Sequence, residues 1–88
     1  MQWDESKSLI NERKHGIQFI DVEPVFFDPA AVTIEDRTAH GEQRFITMGR
    51  DGYDRILVVI YTLRSNDVRL ISARKASRNE VKFYEEGI

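Results

Sequence analysis

Lys14, His15 and Gly16 stand together, joining a cation to a ring of the one residue type that titrates near neutral pH. Proton transfer beside an anionic group is the chemistry such a pair suits, and Gly16 adds a second account. A glycine followed by an apolar residue is a helix stop, so His15 falls where free helix carbonyls favour a cation, with or without a reaction. Glu42 and Arg44 are two residues apart, hence on one side of a strand, and are expected to pair. Arg74 offers a planar fork for phosphate or carboxylate, its other reading being a strand-end ion pair. Tyr84 follows Val81 by three, so it is either a core aromatic with its hydroxyl at the edge or a proton donor. Ser72 lies in a strand segment with no identifiable base, Ser77 is accounted for as a helix cap, and His40 falls in a polar loop, where it is expected to be solvated. The chain has no cysteine, which rules out disulfides, thiolate metal sites and a thiol nucleophile, and two histidines are too few for an ordinary structural zinc site. No metal and no cofactor is expected.

The formal net charge is -2, but it is unevenly placed. Residues 1–43 hold nine acids against four Lys or Arg, whereas residues 44–82 hold four acids against nine basic side chains. The second half therefore suits a polyanion or an acidic partner, although exposed strand residues are also basic for solubility alone. A chain of 88 residues is expected to form one domain over 1–88, since two cores would each be too small. No apolar run approaches the roughly 20 residues that span a bilayer, and Asp4 and Glu5 stand where a signal peptide would be basic and then apolar. A cytoplasmic protein without a membrane segment is expected.

These side chains must be held by a short series of elements. Residues 1–3 suit a brief strand, and Asp4 caps a helix over about 5–14 that would carry Leu9 and Ile10 inward. Phe19, Val22, Val25 and Phe26 suggest a second, short helix, which Pro24 confines to a start near Asp21 and which Asp28 and Pro29 end. A strand over 31–34 enters a polar loop over 35–41. From there the period is that of a sheet: strands over 45–49, 55–63 and 68–74, joined by turns at Asp51-Gly52 and over 64–67. The apolar run from Ile56 to Tyr61 marks the middle strand as buried on both faces. Ser77 and Glu80 spell a capping box for a last helix over 78–86, closed by Gly87. The class is α+β, with N-terminal helices, a mainly antiparallel β-meander and a C-terminal helix.

The order Trp3-Asp4, Asn11 with Lys14-His15-Gly16, Phe26-Phe27-Asp28-Pro29, Glu42 with Arg44, Gly49-Arg50, the run 57–61, Ile71-Ser72-Ala73-Arg74 with Ala76, and Glu80 with Tyr84-Glu85 resembles the BrnT family of toxins across essentially the whole chain. The resemblance implies a RelE-like fold and a ribonuclease toxin of a type II toxin–antitoxin system that cuts RNA without a metal and inhibits translation. It implies that Lys14, His15, Glu42, Arg44, Arg74 and Tyr84 carry catalysis from one side of the sheet, with Arg50, Arg64, Arg69 and Lys75 on the RNA. Attack by the RNA's own 2'-hydroxyl needs a base, a cationic clamp on the phosphate and an acid for the leaving 5'-oxygen. The implied partner is a BrnA-like antitoxin with a ribbon-helix-helix DNA-binding domain, in a complex of two toxins and two antitoxins, covering the RNA face with acidic or apolar side chains. The other reading is a non-catalytic module whose basic half grips a nucleic acid or an acidic protein.

Overall fold

A computed structural model describes residues 1–38 and 40–87. Helix α1 (Glu5–His15) is followed by two 3₁₀ turns, Phe19–Asp21 and Glu23–Phe27, then by strands β1 (Val32–Asp36), β2 (Arg44–Arg50), β3 (Ile56–Arg64) and β4 (Asp67–Lys75), and by helix α2 (Arg78–Glu86). The four strands form one antiparallel sheet in the order β1-β2-β3-β4, the meander and α+β class expected. Ser65 and Asn66 both have positive φ, which matches the two-residue hairpin turn between β3 and β4 to the twist of the strands. Asp51 organises the other expected turn, its buried carboxylate accepting from the amides of Tyr53 and Arg55 and from the Arg55 guanidinium.

One face of the sheet carries the core. Leu57, Val59 and Tyr61 of β3 alternate inward and meet Leu70 and Ala73 of β4 beneath Ile17, Phe19, Val22 and Val25 of the segment between α1 and β1. Phe26 packs edge-on to Tyr61 at 5.0 Å and Phe45 stacks on it at 5.8 Å. The Tyr61 hydroxyl shares a proton with Thr47, and Thr47 with Thr33, which carries polar groups across three strands without leaving them unpaired. Gly49 is required by close approach: a Cβ there would stand 3.0 Å from both Cγ1 and the carbonyl oxygen of Val25.

Three local expectations fail. The helix α1 does not turn Leu9 and Ile10 inward; they are 51% and 58% exposed, and its buried residues are Ser8 and Asn11. The reason is that α1 lies along backbone rather than on an apolar floor. The Asn11 amide donates to the carbonyls of Ile17 and Ala73 and accepts from the Ala73 amide, while Ser8 accepts from the Phe19 amide. Asn11 thus satisfies the free edge of β4, and Gln2 does the same nearer its start by bonding the Val68 carbonyl and the Leu70 amide. The expected second helix is two 3₁₀ turns instead, because Pro24 near the start of the second leaves no amide to continue the first. Strand β1 starts one residue later and runs two residues further than composition suggests, since pairing with β2 from Val32↔Met48 to Asp36↔Arg44 extends it into polar sequence.

Candidate functional site

The second face of the sheet, opposite the core, carries Arg44, Ile46, Met48 and Arg50 of β2, Val58 and Ile60 of β3, and Ser72 and Arg74 of β4, set by alternation and register. Helix α2 crosses this face. Asp4 caps α1 through the Ser6 amide, and Ser77 and Glu80 form the expected capping box at α2.

Arg74 is the best-anchored cation. Its Nη1 donates to Glu80 Oε1 at 2.7 Å and its Nη2 to Glu80 Oε2 at 3.0 Å, with a weaker bond from Nη1 to the Lys75 carbonyl at 3.3 Å. The paired guanidinium, helped by the Ser77 amide, pulls the Glu80 carboxyl down to about 2 against its partial burial. A guanidinium has five N–H groups. Among the described residues Glu80 and the Lys75 carbonyl take three, leaving Nε–H and the outer Nη2–H, a second parallel fork of the kind that grips a phosphate.

Beside it, Tyr84 donates its hydroxyl to Asp28 Oδ2 at 2.5 Å, and that carboxylate also accepts from the Arg50 amide at 2.7 Å and, through Oδ1, from the Ala30 amide. Burial and the acceptor Asp28 raise the Tyr84 phenol above its ordinary range, so it is a neutral donor. For Asp28, burial likewise raises the carboxyl but is outweighed by the bonds from Tyr84, Arg50 and Ala30, which hold it low. The Arg50 guanidinium sits 5.8 Å from the centre of the Tyr84 ring and pairs with Asp54.

Lys14 and His15 lie along the outer edge of the same strand, β4. Asn11 grips Ala73, the neighbour of Arg74, and Lys14 and His15 lie one turn further on, where they line a cleft of about 160 Å³ with Ile71 and Ser72. Both are exposed, and with Arg44, Arg69 and Lys75 they enter no ion pair among the described residues.

The remaining expected residues lie elsewhere. Glu42 pairs with Arg64 at 3.1 Å, not with Arg44 as the two-residue spacing suggests; it precedes the strand, whose first residue is Arg44, so the alternation rule does not reach it. Arg44 stands opposite Asp36, and its charge, after the Thr38 hydroxyl and amide, helps hold that carboxyl low. Arg69 pairs with Thr62, four residues along β3 from the Val58 that pairs with Arg74. Four residues of strand is about 13 Å. The six residues expected to act together therefore divide into Lys14, His15, Arg74 and Tyr84 at one end, and Glu42 and Arg44 at the other. Asp28 and Glu80 organise the first group and were not anticipated there: Glu80 already had an account as a cap, and Asp28 as a helix terminator.

Over residues 3–80 the chain matches the model of a family described as ribonuclease toxin, BrnT, of type II toxin–antitoxin system. The chain belongs to the BrnT family. The fold agrees, being similar to the 1.1 Å crystal structure of the Brucella abortus ribonuclease toxin BrnT with a TM-score of 0.73 and 28% identity, over 89% of this chain and 96% of that one. No curated protein matches it. As a BrnT ribonuclease toxin of a type II system it has an antitoxin for a partner. Among the described residues no helix is long and apolar enough to cross a membrane, and no three of His, Cys, Asp or Glu are grouped as a metal site would need.

Proposed function

We propose that this BrnT toxin is a metal-independent endoribonuclease whose scissile phosphate sits at the Lys75 end of β4. The observation that supports the reading is the bidentate hold of Glu80 on Arg74, which leaves the Nε–Nη2 side of the guanidinium for a phosphate, on the strand whose outer edge α1 lines with Lys14 and His15. Arg74 and Lys14 oppose the charge that grows on the phosphate as the 2'-oxygen attacks phosphorus. His15 serves the proton transfers: one from the 2'-hydroxyl, one to the 5'-oxygen as the P–O5' bond breaks, leaving a 2',3'-cyclic phosphate and a 5'-hydroxyl. Tyr84 gives its one hydroxyl proton to Asp28 and so positions the Arg50 guanidinium near its ring rather than touching the phosphate. Arg50 and Lys75 hold adjoining phosphates, and Arg44, Arg64 and Arg69, about 13–20 Å away along the strands, hold RNA rather than reacting atoms. Glu42 orders Arg64 and takes no part in the chemical step.

Cutting RNA in the cytoplasm would stop translation, so the toxin needs its antitoxin, in this reading a BrnA-like protein with a ribbon-helix-helix domain in a complex of two toxins and two antitoxins. The test of the site is a comparison of two variants on single-stranded RNA. Arg74→Ala lowers kcat by about 100-fold or more, the cost of losing one preorganised donor, with little recovery in Arg74→Lys, while Glu42→Gln stays within about threefold of the parent. The reverse ranking would move the reaction to the Arg44 end.

A further inference from the structure

Helix α1 sorts its charges between two flanks. On one flank Glu5, Leu9 and Glu12 line a cleft with Trp3 and Ile20, and the two acids accept from the Trp3 indole and the Gln18 amide. On the other, Lys7, Ile10 and Lys14 lie along the outer edge of β4, and among the described residues no acid lines the cleft they form there with Ile71 and Ser72. Lys7 is exposed and enters no ion pair among those residues. Asp4, three residues before it, is held low first by the Ser6 hydroxyl and amide and last by the charge of Lys7. The edge of β4 opens onto this cleft at one place. Ile60 pairs with Ser72 and Tyr61 with Leu70, so Ile71 is an extra residue, a bulge of the kind that re-aims a side chain at a sheet edge. Gln2 takes the Val68 carbonyl and the Leu70 amide before it, and Asn11 takes the Ala73 amide and carbonyl after it. Ile71 and Ser72, both half-buried, are left between these two clamps, facing Lys7, Ile10 and Lys14.

We infer that this cleft holds the nucleotide next to the scissile phosphate, with its sugar and base against Ile10 and Ile71 and its outer phosphate on Lys7, which makes Lys7 an RNA-binding residue. The inference rests on the proposed function for RNA as the substrate. Lys7 and Lys14 are seven residues apart on one side of α1, two turns or about 10 Å, which leaves room for a nucleoside with a phosphate at either end. Ile10 lies between them, so charge and apolar surface alternate along the cleft as they do along a single strand of RNA. A closely spaced acidic peptide would instead press carboxylates onto the two isoleucines. Ser72 stands two residues before Arg74 on the same side of the strand, about 7 Å away, so a nucleotide seated here leads toward the open side of that guanidinium. A duplex is too wide for a cleft of about 160 Å³, whereas one unstacked nucleotide can lay its edge in it.

The experiment measures binding, so that it does not depend on cleavage. Full-length toxin, freed of its antitoxin, is titrated into a fluorescent single-stranded 2'-fluoro RNA, which keeps the phosphates but lacks the attacking hydroxyl, over a range of salt concentrations. Lys7→Gln is expected to make the plot of log affinity against log salt shallower by about 0.7, one phosphate contact on a single strand, which is about fivefold in affinity at about 0.1 M salt. Arg13→Gln, the same loss of charge at an exposed position of α1 outside the cleft, is expected to leave the slope unchanged. Ile10→Asp, which sets a carboxylate between the two lysines, should weaken binding by about tenfold or more, and Leu9→Asp, on the other flank, should not. On cleavable RNA, Lys7→Gln should raise KM and leave kcat within about threefold, as for a contact away from the reacting atoms. All four positions are exposed, and circular dichroism checks that each variant keeps the parent's fold. A slope that Lys7→Gln does not move, one that Arg13→Gln moves equally, or parent-like RNA binding by a folded Ile10→Asp overturns the inference. So does a Lys7→Gln toxin that binds RNA as the parent does but loses its antitoxin, which would give the cleft to the protein partner. A parent that binds the RNA through Lys7 yet leaves unmodified RNA uncut would refute the proposed chemistry and leave the subsite standing, and a parent that binds no RNA refutes both.

Discussion

Asn11→Ala probes the joint on which the site is built. In the parent, one buried amide side chain satisfies three backbone groups: the carbonyls of Ile17 and Ala73 at 2.9 and 2.8 Å, and the Ala73 amide at 3.1 Å. Each buried backbone group left without a partner costs about 1–3 kcal/mol. Three at the low end come to about 3 kcal/mol, and the better helix propensity of alanine returns only about 0.6 kcal/mol. A net loss of about 2–3 kcal/mol is expected, a large share of the roughly 5–15 kcal/mol that holds a domain together, and it lowers the thermal midpoint on the order of 10–20 °C. Urea unfolding followed by circular dichroism measures it. Because Asn11 also fixes the last turn of α1, cleavage should fall even well below the midpoint, as Lys14 and His15 lose their place at the edge of β4. Asn11→Asp should be no better, since it aims a carboxylate at two carbonyl oxygens. A loss below about 1 kcal/mol for the alanine variant would show that α1 is held to β4 by other contacts, and the placement of His15 would lose its basis.

Two further outcomes follow from the structure. Glu80 has its carboxyl lowered from an ordinary 4.5 to about 2 by Arg74, so the pair adds stability above pH 4.5 that is lost as pH falls toward 2; Glu80→Gln should flatten that acid limb in melting curves taken from pH 2 to 6. Gly49→Ala should destabilise by about 1–3 kcal/mol in urea, because the backbone carbonyl of Val25, 3.0 Å from the new Cβ, cannot rotate away as a side chain would.

Much of the fold is legible from residue order. Alternation and turn chemistry place β2, β3 and β4, the run around Val59 marks the inner strand, and Asp4, Gly16, Ser77 and Glu80 mark the helix ends. What composition does not reveal is a polar side chain acting as packing: Asn11 and Ser8 are the buried residues of α1, and a rule that sends apolar residues inward turns the helix by about half. The same limit applies to the site. Arg74 and Tyr84 can be singled out by type, but their partners Glu80 and Asp28 already have local explanations, and Glu80 serves as cap and as anchor at once. Glu42 and Arg44 fail as a pair because the strand begins only at Arg44, a boundary that pairing with β1 and β3 decides. The division of the expected catalytic set between two ends of the sheet is a matter of register, which a linear sequence does not carry.

In the proposed reaction the side chains at the end of β4 cleave RNA through its own 2'-hydroxyl. The purified toxin, freed of its antitoxin, should be given end-labelled single-stranded RNA and the matching DNA in excess EDTA, and the termini of the products determined. The expected products are RNA fragments ending in 2',3'-cyclic phosphate and beginning with 5'-hydroxyl, formed at a rate EDTA does not change, with the DNA intact. Cleavage that requires magnesium, or DNA cut as readily as RNA, would contradict it.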